Sequence, residues 1–435
     1  MTNEVSIKNL SKIKDGILFV LILTLFLIPL LKHFSFTYSF ALKNDYNILK
    51  ILGILGIYFL LFYIYLQYDK NKNLKQFFKE LSPIFILLIY MIWTFIASVF
   101  SPDTSLAFFG TSYRKDGFIT YLLYAGCFGL SFGISSKKIK VILLYLFSII
   151  AIISITLIEL SKLGVFYKFI SFQDMYTGSF SNSNHFGYYL LIATVISSFL
   201  FISEKNKILK TIAFFMYSFL LYYLILNNTF GCYLALISTF ILFLITTILK
   251  KEQKKSIIVC ICVFIVLSIF TNFNAKNITG NNIQTLLKDL LNITTQSSNN
   301  KEWKKAGSGR MQLWYHGLQF ITKSPLIGYG PENLEKLYLD VGIDQDRAHN
   351  LLIQLATTSG IPGLILYLLA IGIILFRSIK KYSINNQVHA VCLFSVIAYL
   401  ISAMFGNSMY YTSPYFFIIL GFLFNELLTI KDIKK

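Results

Sequence analysis

The chain has 435 residues, 56% of them hydrophobic and 14% charged, with a mean hydropathy of +0.65. Soluble domains carry about 25% charged residues, so a soluble globule is excluded. The formal net charge of +19 invites a nucleic-acid reading. The lysines, however, stand in short clusters between apolar segments, as the positive-inside rule produces, and no nucleic-acid partner is expected.

Apolar runs of roughly 17–25 residues, the length that crosses about 30 Å of hydrocarbon, recur along the chain. Spans are predicted at about 16–31, 48–67, 83–100, 117–134, 139–159, 185–203, 208–226, 231–249, 256–272, 361–377, 388–404 and 414–430. The first is long enough to remain as a membrane helix rather than a cleaved signal. The expected fold is all-α, a polytopic membrane bundle of about 12 transmembrane helices with one large extracytoplasmic loop containing interfacial helices. Sorting the connections alternately gives two sets. One holds 23 basic residues in seven short segments, from Lys8, Lys12 and Lys14 to Lys431, Lys434 and Lys435. The other holds 16, nine of them in the long loop, and its turns at 227–230 and 405–413 have none. The first set is expected in the cytoplasm with both termini, and the loop outside, at a bacterial inner membrane. The organisation is therefore 1–272 (nine helices), 273–360 (extracytoplasmic loop) and 361–435 (three helices).

Three outward segments stand out along the chain. Residues 101–116 carry Arg114 just before the fourth span. Residues 160–184 end in a polar turn where Asn182, Asn184 and His185 enter the sixth. The long loop begins with an Asn/Thr/Ser-rich lead-in, where the glycosylation-like triplets at Asn277 and Asn292 are as expected by chance in so Asn-rich a chain. All five cysteines (Cys127, Cys232, Cys260, Cys262, Cys392) fall in apolar segments, which argues against a disulfide framework or a thiolate metal site. Cys260 and Cys262 fall on different helix faces, so packing is their expected role.

Residues 307–363 form the long polar region around which the chain is organised. Arg310 opens a helical run with Leu313, Trp314, Gly317, Leu318 and Ile321 at three- and four-residue spacing, read as a helix in the outer interface. Two Pro and two Gly in Pro325–Pro331, including Gly328 and Gly330, mark tight turns. Backbone amides there would suit an anion, against the plainer reading of a simple turn. Residues 344–360 read as a second interfacial helix stopped by Gly360 and followed by Pro362. His349 falls near its N-terminal turn, where the helix dipole disfavours imidazolium; a neutral imidazole suits a general base, and a local capping role is the alternative.

Arginine usage adds a direction. The chain has 4 Arg against 35 Lys, and Arg114, Arg310 and Arg347 all lie outside. A planar bidentate donor is preferred where phosphate is gripped, so the outer face suits a lipid-linked pyrophosphate. The outer acids (Glu302, Glu332, Glu335, Asp340, Asp344, Asp346) lack a compact ligand spacing, and neither metal nor cofactor is expected.

At these residues the chain resembles a known family. Arg310-x3-Trp314, Pro325-Leu-Ile-Gly-Tyr-Gly330 and His349-Asn350 with Thr358-Ser-Gly-Ile-Pro-Gly-Leu364 are similar to the signature region of the O-antigen ligase/O-antigen polymerase superfamily. Residues 180–190 and 110–117 resemble further segments of it. The resemblance implies a metal-independent glycosyltransferase that uses an undecaprenyl-diphosphate-linked glycan as donor and a glycan, lipid or protein as acceptor. Arg310 would hold the diphosphate, His349 would activate the acceptor hydroxyl or position the leaving group, and Asn350 would support the histidine. Family members often carry an Arg in a turn that here reads Asn228-Thr-Phe-Gly231, which leaves Arg114 or Arg347 to supply that charge. Ligase and polymerase are not separated by sequence. The alternative from another class is a flippase of lipid-linked oligosaccharides, disfavoured because the spans hold few ionisable residues away from their ends. A non-catalytic assembly protein is the third reading.

Overall fold

The computed structural model describes residues 2–70, 73–165, 178–180, 182–249, 255–274, 306–407 and 409–430. Among them the regular structure is helical throughout. The glycosylation-like triplets, Glu302 and the last lysine cluster lie outside the described residues.

The helices follow in chain order as α1 (Thr2–Leu31), α2 (Ser35–Lys70), α3 (Leu74–Glu80), α4 (Ser82–Val99), α5 (Thr104–Phe109), α6 (Phe118–Phe132), α7 (Lys137–Lys162) and α8 (Ser183–Ser203). Then come α9 (Lys207–Asn227), α10 (Phe230–Leu249), α11 (Lys255–Asn274), α12 (Arg310–Lys323), α13 (Leu334–Leu339), α14 (Leu351–Lys380), α15 (Gln387–Ser402) and α16 (Ser413–Thr429). Among the described residues nine helices are long and apolar enough to cross a membrane, and three shorter apolar ones lie at Phe118–Phe132, Lys255–Thr271 and Ser413–Thr429. This is an all-α polytopic membrane bundle.

Burial sorts its helices into layers. The apolar window of α8 is 94% buried and that of α2 only 28%. With α15 and α16, α8 therefore forms the centre, while α2, α9, α10 and α11 present residues such as Ile51, Tyr58, Phe215, Ile241 and Val266 outward. In lipid, apolar side chains gain nothing by turning inward, so close packing decides which faces meet. The α2–α6 pair shows this. A Cβ on Gly56 would lie 2.0 Å from the Gly126 carbonyl oxygen, and one on Gly126 would lie 1.9 Å from that of Gly53. Only glycine permits that approach. Cys260 is buried and Cys262 exposed, as two faces of α11 require.

The connections gather at two ends. At one end, Lys14 donates to Ser135, Asp15 accepts from the Ser135 and Ser136 amides, and Arg377 donates to the Lys79 and Glu80 carbonyls. There the fully buried Lys140 and Glu426 pair at 2.7 Å. At the other end, Asn333 joins Asp103, Arg114 joins Asp346, and Tyr410 joins Asp45. These two groups are the two sets that alternate sorting separates.

Two elements differ from expectation. The second helix begins at Ser35, so most of the connection before the second span is helical. Residues 344–350 are not helical, and the expected interfacial helix is instead the first part of α14, beginning at Leu351. That part is buried at Leu351 and from Gln354 to Gly360, so it is a packed element rather than one laid on a surface. Gly360 stops it as expected: at φ 69° and ψ 176° it is not helical, and beyond this kink a second helix follows to Lys380.

Candidate functional site

The kink explains the Pro/Gly turn. Pro362 has no N–H, so the Thr358 carbonyl loses its helical partner. The Ile361 N–H turns away to the Pro325 carbonyl (2.8 Å), so Thr357 loses its partner too. The Tyr329 N–H donates to Thr357 (2.9 Å) and the Gly330 N–H to Thr358 (2.8 Å). The Trp93 indole donates to the Ser359 carbonyl (2.9 Å). Gly328 and Gly330 hold positive φ, and a Cβ on Gly328 would sit 2.7 Å from the Gly360 nitrogen. These amides, and that of Gly328 on Ser324, are spent on protein carbonyls. The anion cradle expected of Gly328 and Gly330 is corrected to a plug for a broken helix.

Helix α12 lies over this turn, with Leu313 and Phe320 packed on Leu334 and Tyr338 in a small core of their own. Gly317 faces Ile353, and Leu318 is exposed. The helix enters through Gly307, Ser308 and Gly309, all at positive φ. That turn sets Arg310 at its first position, with Nη1 donating to the Gly307 carbonyl (3.3 Å) and Nε without a partner among the described residues. Trp314 stands one turn on, its ring 6.4 Å from that of Phe405 and its indole N–H also unpartnered among the described residues.

Residues 346–350 are held one by one. Asp346 receives Arg114 in a fork, Nε to Oδ2 at 2.6 Å and Nη2 to Oδ1 at 3.0 Å. Burial works against the Asp346 carboxylate, and Arg114 nonetheless holds its pKa below the ordinary value. Arg347 is 1% exposed, with Nη1 on Asp116 (2.9 Å) and Nη2 on Glu332. The Glu332 pKa is raised by burial, against the pull of Arg347. The Ala348 N–H donates to Gln354 (3.0 Å). His349, at φ 48°, donates its N–H to Asn407 Oδ1 (3.1 Å), and its Nδ1 lies 3.3 Å from Asn407 Nδ2. Asn350 caps α14, accepting from Leu352 and Ile353.

The structure therefore divides the expected site residues. Arg310 and His349 come together, lining one open cleft of about 220 Å³ with Ser308, Gln312, Ile343 and Gln345. Burial, then the Arg310 charge, lowers the His349 pKa to about 4. Arg114 and Arg347 are occupied by carboxylates, and Arg347 is enclosed. Asn182 caps α8 by accepting from Asn184, and His185 is buried with its ring 6.4 Å from Tyr411. Among the described residues, of Arg114, Arg310 and Arg347, Arg310 alone has no carboxylate within salt-bridge distance.

Sequence reasoning missed Asn407, Asp116 and the pair of Lys32 with Asp45 (2.8 Å), whose Asp45 also receives Tyr410 (3.2 Å). One signal was available for Asn407: a polar residue in a turn with no basic residue. None marked Asp116, which lies 231 positions from Arg347.

The fold and site define a polytopic membrane protein with, at one end, a fixed histidine and an arginine that has no carboxylate partner among the described residues. A sequence model of the family described as "O-Antigen ligase" matches residues 212–368, which include both. The chain is 23% identical over 317 residues to a protein named "O-antigen polymerase" from Salmonella muenchen, covering 67% of this chain and 73% of that protein. Both findings support the O-antigen ligase/polymerase superfamily for this chain. With the apolar helices they indicate a bacterial membrane protein of ligase- or polymerase-like, glycosyltransferase-like function in polysaccharide biosynthesis.

Proposed function

We propose that the protein transfers a glycan from an undecaprenyl-diphosphate donor, without a metal, on the outer face of the bacterial cytoplasmic membrane. In this reading both termini lie in the cytoplasm and the region 273–360 lies outside. Arg310 holds the diphosphate, and His349 meets the reacting groups across the cleft. The acceptor hydroxyl oxygen bonds to the anomeric carbon as the bond to the diphosphate oxygen breaks. That electron pair leaves with the diphosphate, which takes up the hydroxyl proton directly or through water. The observation that carries the reading is that Arg310, with no carboxylate partner among the described residues, and His349, whose pKa burial lowers, line one cleft. Arg114, Arg347, Asn350, Gly328 and Gly330 act by holding the frame, and Trp314 with the Asn182–His185 turn borders the site.

The test uses a host strain that lacks this chain and is complemented with variants. Correctly inserted Arg310→Ala and His349→Ala are expected to leave the surface polysaccharide unextended or unattached. Normal amounts of polymer with either variant would sink the assignment. The flippase reading draws on the buried Lys140–Glu426 and Lys32–Asp45 pairs, the first of which sits at the end away from the cleft. Glycosyl transfer by the purified protein separates the two classes.

A further inference from the structure

The pairing of Asn407 with His349 fixes more than a position. Asn407 lies in the turn between α15 and α16, 5% exposed, and touches His349 twice. A peptide N–H can only donate, so the atom 3.1 Å from the His349 nitrogen has to be the amide oxygen. That contact orients the whole side-chain amide, which network geometry must otherwise decide. The remaining atom is the NH2 group, and it too can only donate. It faces His349 Nδ1 at 3.3 Å, so Nδ1 must offer a lone pair. A neutral imidazole carries one N–H, which then sits on Nε2.

The opposite tautomer would set an Nδ1–H against an N–H2 group. Rotating the amide to relieve that would set N–H2 against the backbone N–H. Protonating both ring nitrogens meets the same conflict. Among the described residues no hydrogen bond engages Nε2, and His349 lines the cleft with Arg310.

We infer that Asn407 is a positioning residue that locks His349 in the Nε2–H tautomer, so that the imidazole meets the substrate as a hydrogen-bond donor to a diphosphate oxygen. This rests on the proposed function of the cleft and deepens it: of the two roles open to His349, it selects leaving-group stabilisation over proton abstraction. Arg310 and His349 are then two donors aimed at the charge that develops as the glycosidic bond breaks.

The tautomer is read directly from ¹⁵N resonances of the full-length protein in nanodiscs with labelled histidine. There are five histidines, and His349→Gln assigns the signal by its loss. Wild type is expected to show a protonated Nε2 and a bare Nδ1. Asn407→Asp offers an acceptor to both N–H groups and is expected to move the proton to Nδ1. In the complemented host, Asn407→Asp is expected to lower polymer formation by about 10²-fold while inserting normally. A wild-type Nδ1–H signal overturns the lock, and this needs no folded Asn407 variant. Full polymer formation by Asn407→Asp with a reversed tautomer overturns the donor role. Full activity of His349→Ala would instead defeat the proposed function and leave the tautomer lock standing.

Discussion

Arg114, Arg310 and Arg347 share a side chain and differ in circumstance. Among the described residues Arg310 has no carboxylate partner, so its removal should act on transfer: Arg310→Ala is expected to cost about 10²–10³-fold in rate, with Arg310→Lys intermediate because the charge remains and the fork is lost. Transfer from a lipid-diphosphate donor in isolated membranes is the measurement. Arg347 should act on folding. Arg347→Met leaves Asp116 and Glu332 buried without their cation, at about 3–5 kcal/mol. Thermal unfolding in detergent reads that cost, and an Arg347→Met protein of unchanged melting temperature that cannot transfer would reverse the assignment. For His349 the sign follows from its lowered pKa of about 4. Neutral in the folded chain and protonated in the unfolded chain below about 6.5, it contributes stability above that pH and loses it as pH falls toward 4. The pH–rate profile should therefore show no inflection near 6.5 from this group. Arginine scarcity in the sequence pointed at all three positions. It did not separate them, because the acids that occupy two of them come from distant segments: Asp116 and Asp346 are contributed across 231 and 232 positions.

At the scale of elements, the site depends on one broken helix. Pro362 and Gly360 deprive α14 of its regular bonds, and the Gly-Tyr-Gly turn replaces them. A Cβ on Gly360 would lie 1.9 Å from the Leu326 carbonyl oxygen at a φ of 69°, so Gly360→Ala should drive the turn off the helix. Gly342, at φ 77° with open space around it, should lose only about 1 kcal/mol on substitution by alanine. Melting temperatures of the two variants make the comparison, and equal shifts would show that the turn is not anchored there. Pro and Gly announced a turn in the sequence, but the destination of its amides was not legible. Amide partners depend on which carbonyls lie opposite, and those come from α14. The same limit applies to Asn350 and Asn182, legible as polar residues at a boundary and resolved as helix caps only in three dimensions.

Over the whole molecule, alternation of basic and non-basic connections predicts a sidedness that labelling can check. In a Cys262→Ser background, Leu339→Cys should react with an impermeant thiol reagent in intact cells, and Lys207→Cys only after permeabilisation; both positions are exposed. The reverse pattern would invert the proposed orientation. Hydropathy and lysine placement were enough for the all-α bundle and the grouping of its two ends, because crossing lipid constrains length and composition of each span separately. The sequence by itself also marked residues 307–363 as the polar centre and named Arg310 and His349. The choice among candidate cations, the fate of the turn amides and the partner of His349 were decided only by tertiary structure. Each depends on hydrogen bonds between segments far apart in the chain, and those pairings have no local period or propensity to leave in the sequence.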